Sequence, residues 1–210
     1  AALEERPLRK PSPGEALIRV AYQGVCATDL EILDGNLGYY KSGMAHYPIV
    51  CGHEFSGTVA AAGAKVSHVK EGDHVVVECI QGCGDCAECK AQNPIGCARR
   101  RELGVIGADG GYAEYLLTPG RFVHAIPSTL TLEKACLCEP LAVVLKGLRR
   151  LSRVWGVSLG PRRCAVIGAG PIGHLTALVL AQRGHQVTVF DKNPQRLKPF
   201  AGSEISAQDD

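Results

Sequence analysis

The 210-residue sequence has little net charge and no long apolar run. Its formal net charge is +2 and no stripe of basic side chains is present, so we expect no nucleic-acid partner. The most apolar stretches of its second half, such as 141–145 and 177–181, are far too short to span a bilayer. The charged first residues lack the apolar segment of a signal peptide, and no internal repeat is present. These absences predict a globular protein without a membrane or nucleic-acid partner.

Cysteine, in contrast, is abundant, and four of the ten cysteines are closely spaced. They follow the pattern C-x2-C-x2-C-x7-C, which is typical of a zinc site made of four thiolates: Cys83, Cys86, Cys89 and Cys97. A disulfide knot is the alternative interpretation. Because four sulfurs fill the coordination sphere, such a site has no open position for a substrate. The pattern therefore predicts a structural zinc lobe and not a catalytic centre.

The remaining cysteines are scattered along the chain. Secreted disulfide scaffolds are found in much shorter chains than this one. We therefore expect a reducing compartment and a cytoplasmic location.

The first part of the chain, up to about residue 128, consists of short strand-like segments separated by turns rich in glycine and proline. Strands are predicted at 16–22, 57–60, 74–77 and 112–117. Many short strands with such punctuation are typical of a small barrel-like β domain.

The pattern changes after residue 128. Apolar residues recur at helical spacing up to about residue 151, and Pro140 is expected to break this segment into two helices. A strand at 164–167, a helix at 171–183 and a strand at 187–190 follow. This order predicts a βαβ unit with parallel strands.

Between the two strands of this unit lies a motif of the form G-x-G-x-x-G. It follows a strand, opens a helix and precedes Asp191 at the end of the next strand, which is the context of a dinucleotide-binding fingerprint. A glycine-rich turn without a ligand is the alternative. Asp191 would accept hydrogen bonds from ribose hydroxyls and repel a 2′-phosphate, which predicts NAD over NADP, although Lys192 and Arg196 could soften that preference. The predicted cofactor-binding residues are Gly168, Gly170, Pro171, Ile172, Gly173, Asp191, Lys192 and Arg196.

When the cysteine quartet and the glycine-rich motif are taken together with four further motifs, the chain resembles the zinc-dependent medium-chain dehydrogenase family of alcohol, polyol, sugar and threonine dehydrogenases. In chain order the motifs are GVCATD at 24–29, GHE at 52–54, the cysteine quartet, GYAEY at 111–115, EPL at 139–141 and the glycine-rich motif. The resemblance implies a fold of class α/β plus β. A GroES-like β-barrel catalytic domain is expected at 1–152, followed by the first part of a Rossmann NAD-binding domain at 153–210.

The resemblance also implies a second, catalytic zinc. Its expected ligands are Cys26, His53, Glu54 and Glu139, with Glu54 as a ligand or as a partner of a ligand. Cys138 stands beside Glu139 and is an alternative ligand, since zinc accepts a thiolate or a carboxylate. Thr28 and Glu54 are the expected catalytic residues, and Thr28 matches the hydroxyl that passes the substrate proton outward.

In this family a zinc with an open position lowers the pKa of a bound alcohol, whose carbon then gives hydride to NAD. The expected substrate is therefore a small alcohol, polyol or sugar. Glu31 stands where many relatives have histidine, as in some sugar dehydrogenases, which favours a sugar or polyol. Two alternatives are a zinc-binding module without catalysis and a zinc-free enzyme similar to quinone reductases that uses NADPH.

Compared with this family the chain looks incomplete, because only two strands of the dinucleotide fold are predicted before residue 210. We therefore expect these residues to bind zinc but to turn over little or no substrate. A homo-oligomer is expected for a full-length member of the family.

Overall fold

The computed structural model describes residues 1–155 and 160–209. The chain divides into two compact units, Ala1–Glu139 and Pro140–Asp210. The boundary predicted after residue 152 lies within the helix Cys138–Trp155 and stays a prediction. Among the described residues, no helix is both long enough and apolar enough to cross a membrane.

The first unit is built mainly of short strands. In chain order they are β1 (Glu15–Gln23), β2 (Phe55–Ala62), β3 (His74–Val77), β4 (Ile80–Gln81), β5 (Arg101–Leu103), β6 (Gly107–Ala108), β7 (Tyr115–Pro119) and β8 (Val123–Ala125). Five of them form an antiparallel sheet in the order β7-β1-β2-β3-β8, and three form a smaller sheet in the order β4-β5-β6. Within the described ranges these sheets stay open and do not close into a barrel.

Alternating apolar side chains of the five-stranded sheet form the core of this unit. Ile18 of β1 faces Val59 of β2 across the ladder, and both are almost fully buried with Val75 of β3 and Val123 of β8. At one end of this ladder Gln23 pairs with Phe55. The segments just after β1 and just before β2 therefore leave the sheet at the same end.

Short helices complete the first unit and a longer one follows. They are α1 (Ala27–Leu33), α2 (Gly38–Lys41), α3 (Ala87–Lys90), α4 (Leu132–Ala135) and α5 (Cys138–Trp155). The predicted break at Pro140 is wrong, because α4 ends earlier and Pro140 lies in the first turn of α5. Proline is tolerated there, since the first N–H groups of a helix have no intrahelical acceptor.

The second unit contains a parallel sheet in the order β11-β10-β9. Its elements are β9 (Arg163–Ile167), α6 (Pro171–Gln182), β10 (Gln186–Phe190), α7 (Pro194–Leu197) and β11 (Ser206–Gln208). The βαβ unit β9-α6-β10 is the predicted one, whereas β11 was not predicted. The core of the unit includes Val166, Ala177 and Val189, which join the sheet to α6.

Candidate metal centres and dinucleotide loop

The four closely spaced cysteines come together in one lobe. The sulfurs of Cys83, Cys86, Cys89 and Cys97 all lie within 4.8 Å of one another. The Sγ atoms of Cys83 and Cys89 are 3.9 Å apart. Two sulfurs on one tetrahedral zinc are about 3.8 Å apart, given bonds of about 2.3 Å to the ion, whereas a disulfide bond is about 2.05 Å long. All ten cysteines lie in the described ranges as free thiols, so the lobe fits zinc and not a disulfide knot.

Hydrogen-bond donors of the protein point at these sulfurs. The N–H of Cys89 donates to Cys86 Sγ, and the N–H of Cys83 donates to Cys97 Sγ, both at 3.5 Å. The Cys83 N–H lowers the pKa of Cys97 to about 6. Arg99 Nη2 donates to Cys83 Sγ at 3.2 Å. The contact from Cys83 favours the thiolate of Cys97, the form in which cysteine binds zinc, whereas a hydrogen bond with Asp85 raises the pKa of Cys83 to about 11.

A second group of donor atoms lies where β1 ends and β2 begins. One donor atom from each of Cys26, His53 and Glu54 lies within 4.8 Å of the others. A thiolate, an imidazole and a carboxylate are all zinc ligands, and three of them leave a tetrahedral position open. The donor set therefore fits a zinc ion that can accept a substrate.

Cys26 lies directly before α1 and Thr28 lies in its first turn. Burial raises the pKa of the Cys26 thiol, and the backbone N–H and hydroxyl of Thr28 partly offset this effect. The Thr28 hydroxyl thus interacts with the Cys26 thiol, and its role in proton transfer stays a prediction.

Asp29 connects the two segments that supply these donors, although no role was predicted for it. Its Oδ2 accepts the N–H of Cys26 at 3.0 Å, and its Oδ1 accepts the N–H of Gly52 at 3.1 Å. Oδ1 also lies 3.6 Å from Nδ1 of His53, a buried atom without a hydrogen-bond partner in the part of the chain that the structure describes. A metal-binding histidine commonly turns its second nitrogen to a carboxylate. This arrangement leaves Nε2 of His53 for a metal.

Glu139 lies near the second donor group but is not one of its three members. Burial raises the pKa of Glu139, the nearby His53 counteracts this shift, and the Glu54 carboxylate adds to it. For Cys138, burial alone raises the pKa. Glu139 therefore interacts electrostatically with His53 and Glu54, and its role as a fourth ligand stays a prediction.

The glycine-rich motif forms the turn from β9 to α6. Gly168 has a φ of +95°, a left-handed conformation that favours glycine. Gly170 directly precedes α6, and Pro171 and Ile172 are its first residues. A Cβ on Gly173 would lie 1.8 Å from the carbonyl oxygen of Gly168, so a side chain would force α6 away from the turn. The free N–H groups at this helix start suit a pyrophosphate.

Asp191 follows β10 and contacts the same turn. Its Oδ2 accepts the N–H of Ala169 at 2.7 Å, and its Oδ1 accepts the N–H of Asn193 at 2.8 Å. Both hydrogen bonds lower the pKa of Asp191, and the one from Asn193 has the larger effect. Arg196 Nη1 is 3.7 Å from Oδ2, and Lys192 is exposed nearby. The carboxylate is thus ionised and fixed, and each oxygen keeps a lone pair for another donor.

Comparison with known families and proteins agrees with both parts of this description. Residues 12–128 match the alcohol dehydrogenase GroES-like domain, and residues 163–207 match the NAD-binding domain of 3-hydroxyacyl-CoA dehydrogenase. A curated relative, D-altritol 5-dehydrogenase of Agrobacterium fabrum, is 37% identical over 198 residues, which are 94% of this chain and 56% of the relative. The chain thus spans about half the length of the curated relatives that it matches.

Solved structures of relatives share the fold. A protein described as a zinc-binding dehydrogenase, from Sinorhizobium meliloti and bound to NADP, has a TM-score of 0.81 and 31% identity over 96% of this chain and 56% of its own. A protein described as a short chain alcohol dehydrogenase, from Escherichia coli and in complex with NADH, has a TM-score of 0.79 and 30% identity over 98% of this chain and 58% of its own. The chain therefore belongs to the zinc-dependent medium-chain dehydrogenase family, with a GroES-like domain followed by part of a Rossmann NAD-binding fold.

Proposed function

We propose that this protein oxidises a secondary alcohol of the polyol or sugar class, with NAD as hydride acceptor and zinc at the Cys26–His53–Glu54 group. The convergence of these three different donors within 4.8 Å is the observation that supports the proposal most strongly. The four-thiol lobe would hold a second, structural zinc. The substrate class rests on relatives such as D-altritol 5-dehydrogenase and L-galactonate-5-dehydrogenase.

A zinc ion at this group would supply Lewis acidity, which lowers the pKa of an alcohol hydroxyl. Cys26 and His53 would hold the ion, with Glu54 and Glu139 as carboxylate donors. Glu139 is preferred over Cys138, because Glu139 interacts with His53 and Glu54. Asp29 would orient the His53 ring through its contact with Nδ1, at 3.6 Å.

The hydroxyl proton of the substrate would be taken up at Thr28 Oγ1, which can accept that proton and donate its own. The position of this hydroxyl beside Cys26 supports the role. When bound, NAD would accept the hydride from the substrate carbon.

The turn at 168–173 would hold the pyrophosphate, with Gly168, Gly170 and Gly173 allowing close approach and Pro171 and Ile172 opening α6. Asp191 would accept hydrogen bonds from the hydroxyls of the adenosine ribose. NAD is preferred over NADP, since the ionised and fixed carboxylate of Asp191 would repel a 2′-phosphate. Arg196, 3.7 Å from that carboxylate, and Lys192 would reduce this preference without reversing it.

The free state of all ten thiols, which lie in the described ranges, supports a reducing, cytoplasmic location. A homo-oligomer is proposed by analogy with the family.

A panel of polyols, sugars and simple alcohols, assayed with NAD and with NADP on the complete product of the gene, tests this proposal. We expect turnover of polyols or sugars with a higher kcat/KM for NAD, and loss of turnover in Cys26→Ser. Zinc binding without turnover on any member of the panel would favour a zinc-binding module. Unchanged turnover in Cys26→Ser would favour a zinc-free reductase.

A further inference from the structure

Tyr112 contacts both segments that supply the catalytic metal ligands. Its backbone N–H donates to the carbonyl oxygen of Cys51 at 3.0 Å, in the segment that ends with His53. Its hydroxyl donates to Asp29 Oδ2 at 3.1 Å, in the segment that begins with Cys26. One residue thus bridges the stretch before β2 and the first turn of α1.

The backbone that holds Tyr112 is itself fixed along residues 50–52. The N–H of Gly110 donates to the carbonyl oxygen of Val50 at 2.7 Å, and the N–H of Gly111 donates to that of Gly52 at 2.8 Å. These bonds, with the one from Tyr112, also explain why β7 begins at Tyr115 and not at residue 112 as predicted. Since the backbone is fixed, the hydroxyl reaches Asp29 from a defined position.

The carboxylate that receives this hydroxyl is buried, with 6% of Asp29 exposed. It accepts N–H groups from Cys26 and Gly52, so the Tyr112 hydroxyl is its third donor. The pKa of Tyr112 is raised to about 12, mainly by burial and secondly by the charge of Asp29. The hydroxyl therefore remains a donor at any pH at which the protein would work.

We propose that Tyr112 is a positioning residue for the catalytic metal: its hydroxyl holds the Asp29 carboxylate against His53 and so sets the placement of His53 relative to Cys26. The proposal rests on the proposed function, in which Cys26 and His53 hold zinc. A carboxylate that has lost one of its donors is freer to move away from His53 Nδ1, which lies 3.6 Å from it. Residues that orient a metal ligand affect metal affinity even though they do not touch the metal themselves.

Tyr112→Phe keeps the ring and removes only the hydroxyl. Zinc affinity, measured on the 210-residue chain by competition with a chelator, should fall about tenfold at the Cys26–His53 site and stay unchanged at the four-thiol site. Tyr115→Phe is the matched control, because Tyr115 is similarly exposed (38% against 42%) and lies three residues further along. The melting temperature of the metal-free chain, measured for both variants, separates a loss of folding stability from a loss of zinc affinity.

A second variant tests whether the effect passes through Asp29. In an Asp29→Asn background, Tyr112→Phe should weaken zinc binding much less than it does in the wild type. Unchanged zinc affinity in Tyr112→Phe, or the same loss in both backgrounds, would overturn this inference and leave the proposed function intact. A wild-type chain that binds zinc at the four thiols alone would overturn the proposed function itself.

Discussion

The N–H of Ala169, within the glycine-rich turn, donates to the carboxylate of Asp191 at 2.7 Å. The bond ties the turn between β9 and α6 to the end of β10, while the other carboxylate oxygen accepts the N–H of Asn193. Asp191 therefore shapes the turn, in addition to its proposed role in binding the ribose. A substitution there should affect both the backbone of the turn and the cofactor.

Asp191→Ala is expected to weaken NAD binding at least about tenfold, because a charged acceptor is lost and the Ala169 N–H is left without its partner. Calorimetric titration measures the affinity, and hydrogen exchange measures the opening of the Ala169 amide. The amide should exchange faster in the variant. Glu204→Ala, an exposed substitution in the same unit, is the control and should change neither quantity. Weaker NAD binding with unchanged exchange would mean that Asp191 contacts the ribose but does not shape the turn.

Gly173→Ala should destabilise the second unit by about 1–3 kcal/mol and weaken NAD binding, because the new Cβ would lie 1.8 Å from the Gly168 carbonyl oxygen. Gly147→Ala is a matched control: it also replaces a helical glycine, but its Cβ would meet no atom within 4 Å. This control should be neutral or stabilise the protein by up to about 1 kcal/mol. Thermal unfolding of both variants checks the difference, and equal effects would contradict the packing argument.

Cys83→Ser should remove the structural zinc and lower the melting temperature by more than about 5 °C, since a four-thiolate site contributes directly to folding. NAD affinity should be unchanged, because the glycine-rich turn belongs to the other unit. Cys164→Ser, on β9 and outside both donor groups, should keep both zinc ions. If Cys83→Ser abolished hydride transfer while fold and zinc content stayed intact, the roles of the two metal sites would be reversed.

Glu15 gives a pH-dependent contribution to stability. Hydrogen bonds from Arg9, and next from the Ser12 N–H, lower its pKa to about 2. A lowered carboxyl pKa stabilises the folded state above the unfolded pKa of about 4.3, and the contribution is lost as the pH falls towards 2. Because Arg9 is largely exposed, solvent screening limits the contribution of Glu15 to stability to about 1 kcal/mol or less. The difference in unfolding free energy between wild type and Glu15→Gln should shrink between pH 5 and pH 2, and a constant difference would refute this assignment.

Local signals predicted most of the regular structure. Strand β3 matches its predicted range, 74–77, because a run of three β-branched valines follows the turn residues 71–73. The break between α4 and α5 was misplaced, since helix-breaking by Pro140 depends on where the helix starts. Strand β11 was missed because Ser206–Gln208 is short and polar, and only its pairing with β10 makes it a strand.

At the candidate site, too, the sequence predicts local features but not contacts between residues far apart in the chain. Metal-ligand residues are recognisable by type and spacing, and the structure brings Cys26, His53 and Glu54 together. Asp29 was overlooked, although its spacing from Cys26 is that of a capping box and the structure has this box at the start of α1. The contact from Tyr112 to Asp29 joins residues 83 positions apart, which no local pattern can reveal.

Zinc content tests the central claim, that the chain builds two separate metal sites, most directly. Elemental analysis of the 210-residue chain should find two zinc ions per chain in the wild type. One ion should remain in Cys26→Ser and one in Cys83→Ser, with the four-thiol lobe occupied in the former only. A single zinc in the wild type that Cys26→Ser leaves in place would contradict a metal centre at Cys26, His53 and Glu54.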